Sequence, residues 1–185
     1  FQPIDWAMKE TELASGNIDM IWNGYTITEE RKEKVLFSEP YLSNSQIIVT
    51  MADSDIETKA DLAGKVVATQ QGSAAFDAII ADETGIAAEF DGGTPILYPT
   101  FNDVFNDLES GRSDAIVVDE VLGRYTMKLK GEEKFAVLTD NFGDEEYGVG
   151  LRKEDVALKE AIDATMNDMH EDGTYDEIYA KWFAE

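Results

Sequence analysis

Leu13-Ala14-Ser15-Gly16-Asn17-Ile18-Asp19-Met20-Ile21 and Leu108-Glu109-Ser110-Gly111-Arg112-Ser113-Asp114-Ala115-Ile116 share one pattern, Leu-x-Ser-Gly-x-x-Asp-x-Ile, at an offset of 95 residues. The same ungapped offset aligns Asp5 with Thr100, both of them helix-capping residue types, and Trp6 with Phe101. Each copy reads as a capped helix, a glycine at the position after the last turn, and an apolar strand. Glycine belongs there because it enters the left-handed backbone region without a Cβ clash. Five identities in 21 aligned positions favour two related lobes. Helix–glycine–strand units also recur throughout α/β proteins, so two unrelated units stay open on the repeat alone.

Outward from the repeat, helical and strand-like segments alternate, which predicts an α/β architecture. Ile18–Trp22 reads as a strand, and Thr28 caps a short helix carrying Glu29–Lys34. Residues 45–51 are β-rich, and 58–63 form a short helix stopped at Gly64. A strand over 65–69 runs into Gln70-Gln71-Gly72-Ser73 and a helix over 74–82. The strand 114–118 ends in Asp119-Glu120. Thr174-Tyr175-Asp176-Glu177 has capping-box form, and Tyr175, Ile178, Tyr179 and Trp182 share a helical face after it.

Two lobes need extended links, for which 46–51 and 147–151 are the candidates. The expected division is 1–48 in lobe one, 49–145 in lobe two and 146–185 returning to lobe one. The strands then aim their carboxyl ends at a shared crevice, where open α/β sheets bind ligands.

Composition narrows the function classes. With 39 acidic and 15 basic residues the net charge is −24, which excludes the basic footprint that nucleic acid requires. Its first consequence is a solvated surface; a weak steering of cationic small molecules is the second. Cysteine is absent, so disulfides, thiol catalysis and cysteine metal sites are excluded. No stretch approaches the ~18–20 apolar residues of a membrane span. Phe1 opens the chain without an initiator Met or a basic leader, so the expectation is a mature, trimmed or truncated start.

Three strand ends carry the candidate chemistry. After Trp22 come Asn23-Gly24-Tyr25-Thr26-Ile27-Thr28-Glu29-Glu30-Arg31. Gly24 permits close backbone approach, Thr26 offers a hydroxyl, and the guanidinium fork of Arg31 suits a carboxylate. The bland alternative pairs Arg31 with a neighbouring Glu on a solvated helix. Asp119, at a strand tip, can accept from an ammonium group, or can simply cap the next helix. Gln70 through Ser73 offers amide and hydroxyl groups at another tip, or an ordinary strand-to-helix turn. A carboxylate clamp with an ammonium clamp is what a free α-amino acid requires.

At these residues a family resemblance enters. Gly24-Tyr25-Thr26-Ile27-Thr28-Glu29-Glu30-Arg31, with Phe37-Ser38-Glu39-Pro40-Tyr41 after it, resembles the polar amino-acid family (family 3) of bacterial extracellular solute-binding proteins. Gln71-Gly72-Ser73, Gly111-x-x-Asp114-Ala115, Val118-Asp119 and the tail from Asp172-Gly173-Thr174-Tyr175 to Lys181-Trp182-Phe183 match it in the same order. The resemblance implies a periplasmic-binding-protein-like fold of type II, two α/β lobes joined by two crossing strands. It implies an extracytoplasmic receptor, periplasmic or lipid-anchored, that hands a free and polar amino acid to an ABC permease, without catalysis, cofactor or metal. Residue by residue, it implies that Arg31 binds the α-carboxylate, helped by Thr26 and the backbone near Gly24, with Asn23 at the pocket edge. Asp119 holds the α-ammonium. Ser73 and the amide of Ala74 complete the carboxylate site, Trp6 packs on the ligand, and Gln70 tunes side-chain choice. Members also begin with a strand, loop and helix ahead of the point matching Phe1, so lobe one is expected to be incomplete. Exposed sheet edges and apolar surface then predict a swapped or associated homo-oligomer, or weak binding.

Other classes fit less well. An enzyme on this fold, dehydratase-like, needs a positioned acid or base, and the one histidine, His170, lies late in a helical stretch. Asp168, His170, Asp172 and Gly173 imitate a calcium loop, but Tyr179 stands where the bidentate Glu belongs. A sensor domain of a signalling receptor is the remaining alternative.

Overall fold

The computed structural model describes residues 1–183. They form two compact units, one made of Phe1–Lys9 with Ser43–Glu145, the other of Glu10–Leu42 with the residues from Glu146 on. The chain changes unit at Lys9/Glu10, at Leu42/Ser43, earlier than the expected link at 46–51, and at Glu145/Glu146. The sequence reading assigns residues 1–48 to one lobe; in the structure Phe1–Lys9 joins the other unit. The physical reason is local: the Lys9 ammonium donates to the Gly72 carbonyl at 3.0 Å, and Ala7 packs where a Gly72 side chain would otherwise stand.

The first unit is built on a five-stranded sheet. Its strands are β2 (Leu42–Met51), β3 (Val67–Gln70), β4 (Ile96–Tyr98), β5 (Ala115–Asp119) and β6 (Phe135–Tyr147), in the order β4-β3-β5-β2-β6. β4 and β5 both run parallel to β3, and β2 runs antiparallel to β5. Alternation sorts the apolar residues onto two faces, as the period of two requires. Ile48, Val67, Ala115 and Val117 join one core cluster with Ala75 and Ile79 of α3 (Ala74–Ala81). Ile47, Val49, Ala68, Ile116 and Val118 join the other, with Phe101, Val104, Phe105 and Leu108 of α4 (Phe101–Glu109) and Met127 of α5 (Glu120–Lys130). Both faces are covered, which is why β5 reads as an unbroken apolar run.

The second unit carries most of α1 (Lys9–Ala14), α2 (Glu29–Lys34), α6 (Val156–Asp172) and α7 (Thr174–Phe183) around a two-stranded pair, β1 (Leu36–Phe37) and β7 (Gly150–Leu151). Gly150 lies opposite Phe37 and also bridges Ile21. A Cβ there would meet the Tyr25 ring at 2.6 Å, so Tyr25, fully buried and stacked on Phe37, needs this glycine.

The repeated stretch holds for both helix stops and for the second copy's strand, β5, but not for the strand of the first copy. Gly16 and Gly111 both take positive φ, +75° and +71°. Their amides donate to Leu13 and Leu108, and the amides of Asn17 and Arg112 donate to Glu12 and Asp107. That is the same two-bond helix termination twice over. The expected strand 18–22 is instead a single bridge at Ile21. Its ladder is limited to the two bonds exchanged with Gly150, and one bridged position does not make a strand.

Candidate functional site

In the first unit, the strands that follow β3 in sequence lie on opposite sides of it. That reversal is a topological switch point, and the carboxyl ends of β3 and β5 meet there because the two strands are parallel and adjacent. Those ends are Gln70 and Asp119.

Asp119 is nine-tenths buried, and its surroundings follow from strand register. Gln46 of β2 stands directly opposite it, and Asn44, two residues earlier, shares the face of Gln46. Asp119 Oδ1 accepts from Gln46 Nε2 at 2.8 Å and from Asn44 Nδ2 at 3.1 Å. Asp119 makes no side-chain cap to α5. Asn44 makes it instead, its Oδ1 accepting from the Val121 amide at 3.2 Å. A neighbouring strand thus supplies the cap in place of the aspartate.

The loop after β3 is less open than the sequence implies. Ser73 Oγ donates to the Gln70 carbonyl at 2.7 Å and accepts from the Phe76 amide, so the hydroxyl hydrogen is engaged locally and the oxygen caps α3. Gln70 donates through Nε2 to the Pro99 carbonyl at 2.9 Å. Ala74, buried, begins α3 directly after Ser73. Trp6, half-buried in a 3₁₀ turn, carries the Lys9 ammonium 5.1 Å from its ring centroid. Lys9 is only 3% exposed and also donates to the Trp6 carbonyl, so it pins the Trp6 segment to the loop.

The second unit places Arg31 inward. Thr28 caps α2, accepting from the Arg31 amide, and the exposed ion pairs of this helix are made by Lys32 with Glu29 and Lys34 with Glu30. Arg31 is 5% exposed, donates from Nη1 to the Thr26 carbonyl at 3.0 Å, and stacks its guanidinium 4.8 Å from the Tyr25 ring centroid. Arg31 is thus buried, whereas the two lysines stand on the solvated side of the helix. Burial, then Glu10, pushes the Tyr25 hydroxyl far above its ordinary pKa, so it stays protonated and donates to Glu10 at 2.9 Å. Thr26 is buried and bridges Tyr147, whereas Asn23 is exposed and Gly24, at φ +50°, lies against the Tyr147 ring.

A sequence profile of the bacterial extracellular solute-binding proteins, family 3, matches residues 1–185. The chain belongs to that family. Members of it are solute-binding transport proteins, found outside the cytoplasm as the family description states. Among curated relatives, this family member is 33% identical over 175 residues to a glutamine-binding protein of an ABC transporter from Bacillus subtilis, covering 94% of this chain and 60% of that one. It is 33% identical over 184 residues to an L-cystine-binding protein of Escherichia coli, covering 98% and 66%. Against those two curated relatives the chain thus spans somewhat less than two thirds of their length. Among solved structures, a substrate-binding protein of an ABC uptake transporter from Streptococcus pneumoniae with bound histidine superposes with a TM-score of 0.95 at 38% identity, over 100% of this chain and 75% of that one. An ancestral arginine-binding protein bound to glutamine gives 0.89 at 37%, over 100% and 80%. The α/β fold expected from the sequence is the fold of these amino-acid-binding proteins.

Sequence reasoning missed four members of this environment: Lys9, Asn44, Gln46 and Glu145, whose Oε1 accepts from Asn44 Nδ2 and Gln46 Nε2. Asn44 and Gln46 had a signal, two amides at strand spacing just ahead of the apolar run Ile47-Ile48-Val49. Lys9 and Glu145 had none, because lysines and glutamates are abundant on solvated surfaces. Neither of two surface pockets, of about 690 and 530 Å³, is lined by any of the expected site residues. The second is an apolar groove of the second unit, lined by Trp22, Met166, Met169, Ile178 and Phe183 among others. Its few polar groups offer little to orient a zwitterion.

Proposed function

We propose that the protein is an extracytoplasmic receptor that captures a free amino acid and delivers it to an ABC importer, with binding and no chemistry. The observation that carries this reading is Asp119, a buried carboxylate at a strand end, at the switch point, relieved of helix capping by Asn44. It is the seat for the α-ammonium. Arg31, held inward by Thr26 and Tyr25, takes the α-carboxylate through a charge-assisted fork. Thr26 and the backbone at Gly24 assist, with Asn23 at the edge.

The Ala74 amide adds to the carboxylate site; Ser73 fixes the turn that aims it and contributes its hydroxyl only by releasing the Gln70 carbonyl. Trp6 packs on the ligand and Gln70 faces its side chain. The relatives named for glutamine, cystine and arginine, and the solved neighbour holding histidine, support the amino-acid class and leave the side chain to experiment. Isothermal calorimetry with a panel of free amino acids tests the reading. Micromolar or tighter binding of at least one is expected, and Arg31→Ala should lose it. A panel in which no amino acid binds overturns the proposal.

A further inference from the structure

Asn44 and Gln46 do not serve Asp119 alone. Asn44 Nδ2 also donates to Glu145 Oε1 at 2.6 Å, and Gln46 Nε2 donates to the same oxygen at 2.7 Å. Each amide nitrogen has two hydrogens, and here both are given to carboxylates, one to Asp119 and one to Glu145. The orientation of Gln46 is fixed by this, since a flipped amide would aim its carbonyl at two anions. The arrangement has a penalty: Gln46 Oε1 is buried and, among the described residues, has no hydrogen-bond partner. A fold that keeps an unsatisfied carbonyl to hold two carboxylates side by side is using the pair.

The spacing says for what. Asp119 Oδ1 and Glu145 Oε1 cannot lie further apart than their two bonds to Gln46 Nε2 laid end to end, 2.8 and 2.7 Å. One ammonium nitrogen at an ordinary distance of about 2.8 Å can therefore touch both oxygens at once. The amides are neutral and solvate the two charges, whereas an ammonium brings a positive charge and three N–H donors. Glu145 is the last residue of its unit before the chain leaves along β6, and β6 lies beside β2 in the sheet.

We infer that Glu145 is a second anionic ligand for the amino acid's α-ammonium, so that the seat is a carboxylate pair, Asp119 with Glu145, spaced by two amides. The inference rests on the amino-acid receptor reading and adds a binding residue to it. The test compares wild type, Glu145→Gln and Glu145→Asp by thermal melting without ligand and by calorimetry with glutamine, histidine, arginine and cystine. Glu145→Gln keeps the acceptor oxygen and removes the charge. It should melt no lower than wild type, because like-charge repulsion is relieved, and yet bind the preferred amino acid about tenfold or more weakly. Glu145→Asp should recover part of that loss. Binding by Glu145→Gln within about threefold of wild type overturns the inference while leaving the receptor reading intact. A melting temperature that falls in step with affinity in both variants overturns it too, assigning Glu145 to the scaffold. Should none of the four bind to wild type, the full amino-acid panel supplies the ligand, and a wild type that binds no member of that panel overturns the receptor reading, and this inference with it.

Discussion

Asp119→Asn separates charge from shape at the centre of the candidate site. Both amide bonds to Asp119 land on Oδ1, so an asparagine that keeps its oxygen in that place keeps both, and its new NH₂ replaces Oδ2. The cap of α5 is untouched because Asn44 provides it, and the backbone pairing of Asp119 with Gln46 does not involve the side chain. The two amide bonds, the helix cap and the strand pairing therefore survive the substitution. Ligand binding should suffer. Removing one charged member of a desolvated pair costs about 2–5 kcal/mol. The nearby Glu145 keeps part of the negative potential, which puts the expected loss near the lower end, about 2–3 kcal/mol or roughly 30- to 150-fold in Kd. Calorimetry with the preferred amino acid measures the affinity, and circular-dichroism melts of the same preparations measure the fold. An affinity within about threefold of wild type, with an unchanged melt, would refute Asp119 as the ammonium seat.

Four further outcomes are expected. Arg31→Ala should weaken binding by at least about 100-fold, roughly 3 kcal/mol, read by the same calorimetry. Gly150→Ala should destabilise the second unit by more than about 2 kcal/mol in urea titrations, because the added methyl would stand 2.6 Å from the Tyr25 ring, which Phe37 backs. Lys9→Met should lower stability by about 1–3 kcal/mol and loosen residues 70–73, seen as faster amide exchange there, since Gly72 and Trp6 lose an ammonium donor. For Asp107, burial would raise the carboxyl pKa, but bonds from Ser113, Tyr98 and Arg112 outweigh it and hold the group below its ordinary 3.8. A lowered folded pKa stabilises fully above the unfolded value and is lost as pH falls through the folded one. The stability gap between wild type and Asp107→Asn should therefore shrink as the pH falls below about 4, and a gap that stays constant in acid melts would contradict this.

What the sequence made legible was what local chemistry decides. Thr28 and Thr100 cap the helices they precede, and Gly16 and Gly111 end theirs with the same bonds. Asp119 stands at a strand end as expected, and Arg31 is the inward member of a charged helix. What the sequence hid depends on register and on neighbours distant along the chain. Whether Asp119 caps α5 could not be read without knowing that Asn44, 75 residues away, takes that role. The strand at 18–22 failed because apolar character does not supply a pairing neighbour. Trp182 and Ile178, apolar positions at helical spacing, are exposed at 66% and 45%, so periodicity marked an apolar face without fixing its burial.

The division of the chain into units also has a practical consequence. Phe1 belongs to the unit of the five-stranded sheet and the last described helix to the other, so the two ends of this chain report on different bodies. With no native cysteine, a thiol introduced at exposed Asp53 and another at exposed Asp168 would take a fluorescent donor and acceptor without background labelling. Energy transfer between them, followed as amino acid is added, reads out any ligand-linked change in the distance between the two labels. A signal that tracks the binding curve of an amino acid would make the same doubly labelled chain a reagentless sensor of it.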